Sequence, residues 1–591
     1  MKKIFSIITV AIVSLALTAC SEFLNRPGED SYNKDNFYLN DEQCEQGVSH
    51  LYNSPWYDFQ RGFFKVGEIF SGNLHMGDSP YMDFSVNGTD VDLVNMSYSL
   101  WAVNGHANTV INNLLGARGK GASDKAIYKS VAEALTWKAM AYFYLVRTFG
   151  EVPIVHNNDE LLATGGYNKV TKATRENIYD YIEMTLEKAM ELFDKYDVKK
   201  TSGWADYEHI DYYVAEGLLA KVCLTRAGLS GTLDNAILTK ASTYAKDVID
   251  NSGRTLMPAY EDLFKLKGFN ATGECMLGWL WTVSSNWTSQ NTLQSDLGMV
   301  GFDEFGDLWG DWVDPSIDLM EAFGVDPKDD PATRDNTDTR RKASMMMPGD
   351  FYSYFWTDHT DVNGKVGFNY VQFLYDSNDY GAGSKGELCS TTGANVAKHM
   401  YGNTYDHVQA TGISPARMAY QLPTHLLRLA DVYLIYAEAE LLLTHPDEAL
   451  TYVNLVRRRA GVADLPAVTF NDIWKERRLE LALEGDRWYD FVRRSYYDSA
   501  SCIAEIKAQK RGTYNGLNDM VKKWVGDDFK CTGTWDASEI TYNSNEDNPS
   551  ITASIFTLPF PSEDVVFNAN MASNAEAVAI ENVRGTYAYD F

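Results

Sequence analysis

Glu476, Glu480 and Glu484 recur every fourth residue, a spacing that puts three carboxylates on one helix face. Opposed carboxylates, one with a raised pKa, do general acid and base work on glycosidic bonds. These three are interleaved with Arg477, Arg478 and Arg487, and guanidinium neighbours favour ionised, salt-bridged carboxylates over a proton donor. Pairing between helices is therefore expected, and no catalysis. No GxSxG, HExxH or P-loop occurs, and Gly116-Ala-Arg-Gly-Lys-Gly121 lacks both the phosphate-loop spacing and the Ser or Thr after its lysine. The ten histidines show no ligand spacing. The acidic run Asp326 to Asp338 is the one place for calcium, but Asp326-Pro-Lys-Asp-Asp-Pro is not an EF-hand loop. A solvated loop is expected there; no cofactor is called for, with calcium left open.

The aromatic residues offer a different chemistry. Five of the fourteen tryptophans (Trp279, Trp281, Trp287, Trp309, Trp312) fall between residues 279 and 312, with Phe302 and Phe305 beside them. A sugar ring presents a flat C–H face edged by hydroxyls. A site for it needs exposed aromatic platforms and planar polar side chains. Asn286, Gln290, Asp303, Asp307 and Asp311 stand among the rings. Trp279 and Trp281 alternate within Met276-Leu-Gly-Trp-Leu-Trp-Thr-Val283, which reads as a buried strand. Trp287, Trp309 and Trp312, in Gly-, Asp- and Ser-rich surroundings, are the expected platforms, with Phe302 a fourth ring. The competing expectation is that such rings only pin long loops to the core.

Met1-Lys2-Lys3, the apolar run Ile4 to Ala19 and Cys20 make a secretion leader of residues 1–19 with its cleavage point before a cysteine, the form of a bacterial lipoprotein processing site. A run of sixteen residues is too short to span a bilayer comfortably, so acyl chains on Cys20 would tether a soluble protein of residues 20–591. Removing Lys2 and Lys3 takes the formal charge of −29 to −31. Such a surface repels phosphate backbones and excludes nucleic acid as a partner. The other six cysteines (Cys44, Cys223, Cys275, Cys389, Cys502, Cys531) are widely spaced and form neither a metal-ligand pattern nor a disulfide framework, although one pair is not excluded.

The elements that must position these groups are mostly helical. From about residue 96 to 252 apolar residues recur at helical spacing, as in Ile127, Val131, Ala134, Leu135, Tyr142, Leu145 and Phe149. Thr174 reads as the cap of the helix carrying Ile178, Ile182, Leu186 and Phe193. Ala139, Ala141, Gly217 and Ala220 would let neighbouring helices approach closely, and paired helices stacked in this way make a solenoid. Residues 253 to 420 lose that periodicity and read as long loops with short strands. Helices return over about 424–494: an apolar run from Leu426 to Leu443, a helix from Ala449 to Ala460 stopped by Gly461, and a last one from Asp472 to Arg494.

Four stretches together resemble the SusD/RagB family of outer-membrane lipoproteins. Cys20-Ser-Glu-Phe-Leu-Asn-Arg-Pro27 resembles the family's mature opening. Arg428-Leu-Ala-Asp-Val-Tyr-Leu-Ile-Tyr-Ala-Glu-Ala-Glu440 with Val453-Asn-Leu-Val-Arg-Arg-Arg-Ala-Gly461 resembles its helical hairpin. Glu476-Arg-Arg-Leu-Glu-Leu-Ala-Leu-Glu-Gly-Asp-Arg-Trp-Tyr-Asp490 resembles its most distinctive segment, and Leu558-Pro-Phe-Pro-Ser-Glu563 its closing motif. The resemblance implies a cell-surface binding protein of the outer membrane that captures oligosaccharides for a TonB-dependent, SusC-like transporter. It also implies a site where the loop Gly72–Asp83 and the first solenoid helix meet the aromatic insertion. Asn73, Asp78, Tyr81, Asp83 and Trp101 join the candidates on that ground.

The expectation is thus a mainly α, tetratricopeptide-like helical solenoid with a loop-rich, partly β insertion that binds a glycan and does not cut it. Open stacking platforms bury little area per sugar, so modest affinity is expected. Peptide capture within the same family, a surface glycoside hydrolase and a pure scaffold are the alternatives.

Overall fold

The computed structural model describes residues 37–198, 209–284, 286–302, 310–376, 380, 386–416 and 418–591. Side-chain caps set where the first helices begin. Asp90 accepts from the backbone of Asp92 and Leu93 to open α1 (Val91–Gly116), and Ser123 opens α2 (Asp124–Phe149). Thr174 is indeed the cap of α3 (Arg175–Lys195). Asp211 and Asp234 open α4 (Tyr212–Arg226) and α5 (Asn235–Asn251). Each oxygen satisfies backbone donors that a helix start leaves unbonded. Helices adjacent in sequence are adjacent in space, from α1 on α2 through to α4 on α5. Gly217 of α4 has no room for a side chain: a Cβ would stand 2.8 Å from the Met276 methyl. That gap lets the insertion lie directly on the helix.

After Asn251 the chain leaves the stack and then re-enters it. α6 (Leu429–Leu442) packs on α5 as though nothing intervened, and α7 (Pro446–Arg459) packs on α6. The fold is therefore a mainly α, tetratricopeptide-like solenoid interrupted by a loop-rich, partly β insertion. Its principal strands are β1 (Cys275–Trp279) and β2 (Thr424–Arg428), paired antiparallel. Shorter pairs join Met345–Met346 to Asn395–Val396 and Phe351–Tyr352 to Phe368–Asn369. The closing segment packs along the body as expected: Leu558 N donates to Thr148 O at 2.8 Å, and Phe560 stacks on Phe149 at 5.1 Å. Among the described residues no helix is long and apolar enough to cross a membrane, and the cysteines there are free thiols. In the acidic run, Asp330 caps the turn Pro331–Thr333, Asp326 accepts from Tyr514, and Asp338 pairs with Arg340.

Two boundaries correct the sequence expectation. Leu426 to Leu443 is not one helix, because Thr424–Arg428 is extended against β1. An apolar run does not distinguish a buried strand from a buried helix. The helix expected over Asp472 to Arg494 is likewise broken into α8 (Phe470–Glu480) and α9 (Arg487–Ala508). Between them Leu483 and Gly485 adopt φ of 63° and 73°. Buried side chains satisfy the backbone of this turn: Arg428 donates to Glu480 O (2.9 Å), Lys398 to Ala482 O (2.6 Å) and His399 to Leu483 O (2.7 Å), and Gly485 N donates to Glu68 (2.6 Å). Glu484 consequently sits on the turn, off the helix that carries Glu476 and Glu480.

The three glutamates are paired, as their arginine-rich setting predicts. Arg428 bonds Glu484 at 2.7 Å, Glu274 at 2.8 Å and Glu480 at 2.9 Å. Arg459 joins Glu274 and Glu480; Arg340 and Arg457 reach Glu476 at 2.7 and 2.9 Å. Burial pushes the Glu484 carboxyl up, but Arg428 and Lys398 outweigh it and hold it well below the usual carboxylate range. Burial is outweighed at Glu480 too, by Arg459, Arg428 and Arg340.

Replacing Arg428 by Met takes one cationic partner from each of three buried carboxylates, leaving Arg459, Arg340 and Lys398 to hold them, a change expected to cost about 3–5 kcal/mol, read as a lower denaturation midpoint. Because the folded-state pKa values of Glu480 and Glu484 are depressed, their stabilisation is present above the ordinary glutamate value of 4.5 and is lost as pH falls below it. Acid unfolding curves of Arg428→Met should be shallower there than those of the wild type; an unchanged midpoint and slope would refute the role given to Arg428.

Candidate functional site

Pro55 in the first turn and Asn53 as cap start a 3-10 segment, Ser54–Phe59, that runs into the helix Gln60–Phe64 and a π-helical stretch, Lys65–Ile69. Trp56, Phe59 and Phe63 turn inward. Trp56 meets Trp137 at 5.4 Å and Trp279 at 5.5 Å, an aromatic centre joining α2, β1 and this segment. The opposite side of the same turns offers Tyr57, Asp58 and Arg61 to a cleft of about 300 Å³.

Beside Tyr57, and in edge-to-face contact with it, stands Trp287, held in the turn Trp287–Ser289 that Asn286 caps. Its indole is 56% exposed, and its centroid is 6.1 Å from the Tyr57 ring. Gln60 fixes the two walls together: its amide donates to Gln290 O at 3.1 Å and accepts from Thr292 N at 2.9 Å. Arg61 pairs with Asp296 at 3.1 Å, and the other Asp296 oxygen, Oδ2, has no partner among the described residues. Asp92 and Asn95 of α1, the former paired with Lys65, and Met418 complete the lining. Burial, with Asp58 and Asp296 nearby, pushes the Tyr57 hydroxyl up to about 12, so it remains a donor at neutral pH. Burial also raises Asp58, and raises Asp296 against the pull of Arg61. One exposed indole, a second ring and short polar groups around a shallow hollow suit a flat, hydroxylated ligand.

The candidates from sequence divide sharply. Trp287 is exposed at the cleft. Trp312 is half-buried against the core and does not line the cleft; it stands 5.4 Å from Phe64 and under the Lys65 ammonium at 5.1 Å. Trp279 and Trp281 are core, as the alternation predicts. Phe302 is not a platform: it is 1% exposed, with Phe368 at 5.0 Å and Phe355 at 5.7 Å sealing both sides. Asn73 is also withdrawn from the site. It is fully buried, donating to Glu68 at 2.8 Å and accepting from Arg478 at 2.8 Å, and so ties loop to turn. Tyr81 is 1% exposed and donates to Asp90, the cap of α1, at 2.6 Å. Asp78 and Asp83 are exposed on that loop but do not line the cleft. Trp101 lines a different cleft, away from Trp287. Trp309 and Cys20 lie outside the described residues. Tyr57, Asp58, Arg61, Asn95 and Asp296 were missed from sequence. The signal was the helical spacing within Trp56-Tyr-Asp-Phe-Gln-Arg61, which puts polar groups opposite the apolar ones.

A model of the SusD family matches residues 279–576, and one described as starch-binding associating with outer membrane matches residues 85–210. A SusD-like protein of Bacteroides ovatus is 31% identical over 586 residues, covering 95% of this chain and 96% of its own. A solved structure with xylogluco-oligosaccharide superposes with a TM-score of 0.71 at 28% identity, covering 91% of this chain and 99% of that one. Surface glycan-binding protein A from Bacteroides uniformis shares the fold, with a TM-score of 0.60 at 17% identity over 90% of this chain and 99% of its own.

Truncating the two rings separates platform from core. Trp287→Ala should leave unfolding free energy within about 0.5 kcal/mol of wild type, whereas Phe302→Ala should lose about 3–5 kcal/mol. Denaturant titration of both variants checks the assignment, and equal losses would overturn it.

Proposed function

The chain belongs to the SusD family, and on that premise we propose that it captures a neutral oligosaccharide in the Trp287 cleft and does not cleave it. The observation that carries this reading is the exposed Trp287 indole, set edge-to-face against Tyr57 beside a hollow edged by Asp58, Arg61 and Asn95. A sugar ring stacks its C–H face on the indole, and its hydroxyls exchange hydrogen bonds with the edge groups. Arg61 answers Asp296 and holds its guanidinium over the hollow, where it donates to ring or hydroxyl oxygens. Trp312, and Trp309 by its sequence position, would extend the platform along a longer chain.

Binding without cleavage is supported by the state of the carboxylates. The glutamates that suggested acid–base chemistry are closed inside a guanidinium net, and of the carboxylates at the cleft Asp296 is paired with Arg61 and Asp92 with Lys65. No cofactor is needed. Xylogluco-oligosaccharide is the first ligand to try, since it accompanies the solved relative at 28% identity. Acylation of Cys20 would place the protein on the outer membrane, facing outward, where a TonB-dependent transporter of the SusC type takes over the captured glycan.

Affinity electrophoresis in gels cast with xyloglucan and other neutral polysaccharides provides the test. Wild type should be retarded by at least one of them, with no reducing ends released on incubation. Trp287→Ala should migrate roughly tenfold closer to its glycan-free position, the loss expected when a stacking ring goes. Release of reducing ends, or no retardation by any glycan, would overturn the proposal.

A further inference from the structure

Trp101, placed by sequence with the sugar site, lines a second cleft of about 230 Å³. It is six residues beyond Asn95 on α1, so about 9 Å further along and on another face of the helix. Two parts of the chain far apart in sequence close it. Tyr167 and Val170 come from the segment after α2, and Phe560, Asp564 and Phe567 from the segment that follows Leu558. Phe567 is 64% exposed and Trp101 is half-buried, so the cleft opens between two reachable rings.

Its floor contains an unused acceptor. Asn104 is 1% exposed; its amide donates to Val155 O at 3.2 Å, while among the described residues its Oδ1 accepts from nothing. A buried acceptor without a donor costs about 1–3 kcal/mol. Closing the cleft with a purely apolar group would seal that cost in, so the occupant must bring a donor.

Charge narrows the class further. An anion would meet Asp564, half-buried with Glu563 next to it; burial first and then Glu563 raise the Asp564 pKa. A cation is opposed from below. Lys138 donates to Asn108 at 2.6 Å, and Asn108 donates in turn to Asn158, on the cleft wall, at 2.8 Å. Burial pulls Lys138 down to about 7, so it is already partly charged near neutrality, and among the described residues no carboxylate pairs with it. What remains is a neutral group with one apolar face and hydroxyl donors at its edge. The volume falls below the range of about 300–1,000 Å³ usual for drug-sized ligands, which fits a single ring.

We infer that the Trp101 cleft is a second, separate contact for a neutral pyranose ring, stacked on Trp101 and Phe567 with a hydroxyl donating to Asn104 Oδ1. The inference rests on the glycan-capture reading of the Trp287 cleft and goes beyond it. One polymer touching both clefts would be held more tightly than either alone holds it, because the second contact forms at high effective concentration.

Saturation-transfer NMR on full-length mature protein tests this with glucose, galactose, xylose and xylogluco-oligosaccharide as probes. Transfer to ring protons of at least one probe should persist in Trp287→Ala and fall roughly tenfold when Trp101→Ala or Phe567→Ala is added. Phe567 is so exposed that its truncation keeps the fold, which guards against a collapsed Trp101 variant. If Trp287→Ala abolishes all transfer that wild type shows, the first site stands and this one falls. Transfer that survives Trp287→Ala but ignores both added changes overturns it too, and a simultaneous loss of co-purifying membrane protein would assign the cleft to a protein partner. If wild type shows no transfer from any probe, both readings fail.

Discussion

The constraint on which the rest of the structure depends is a buried exchange of charge between the insertion and the C-terminal helices. Arg428, Arg459 and Arg340 face Glu274, Glu476, Glu480 and Glu484, nearly all of them out of reach of water. Taking such groups from water is costly, and it is tolerated only where each charge finds partners with good geometry. The planar guanidinium, with five donors, meets several carboxylates at once and still reaches a backbone carbonyl. Arg428 does so: it stands at the end of β2, bonds three glutamates, and caps the broken helix at Glu480 O. The net fixes where an insertion of irregular loops sits on a regular stack.

From that net the connection to the cleft is short. The turn after α8 takes up Glu68 through the backbone of Leu483 and Gly485. Gly67 lies against Gly485 so closely that a Cβ would stand 2.3 Å from its carbonyl oxygen. These contacts anchor the π-helical segment whose preceding turns present Tyr57, Asp58 and Arg61. Asn73, taken from sequence for a ligand contact, is one of the anchors. Its amide joins Glu68 to Arg478, so its contribution to function is to hold the neighbouring wall still.

The same economy bears on the proposal of binding without cleavage. An acid catalyst needs a carboxyl whose pKa is raised and which reaches substrate. Here Glu480 and Glu484 are depressed and enclosed, and Glu68, pushed up to about 7 by burial, is enclosed as well; the raised carboxyls at the Trp287 cleft are Asp58 and Asp296, the latter paired with Arg61. Stacking holds a neutral polymer without polarising the bond between its sugars. Both aromatic clefts follow that pattern, and both border α1, whose cap Asp90 is itself fixed by the buried Tyr81 hydroxyl.

Much of the framework was legible in the residues. Periodicity, caps such as Thr174 and the small Gly217 determined a helical stack; the interleaved arginines determined that Glu476, Glu480 and Glu484 would be paired; and alternation determined that Trp279 and Trp281 would be core. Those properties are local, set by neighbours within a turn or two. Exposure is not. Trp287 and Phe302 both stand in segments without helical periodicity, yet one is open and the other is covered by Phe355, Phe368 and Phe373, which arrive from more than fifty residues away. The break between α8 and α9 has the same origin, since the side chains that satisfy its turn come from Glu68, Lys398, His399 and Arg428. The sequence by itself determined which rings and charges the protein has and which helices carry them. Only the tertiary structure decided which of them meet solvent, because burial and backbone satisfaction are settled by partners that no local spacing encodes.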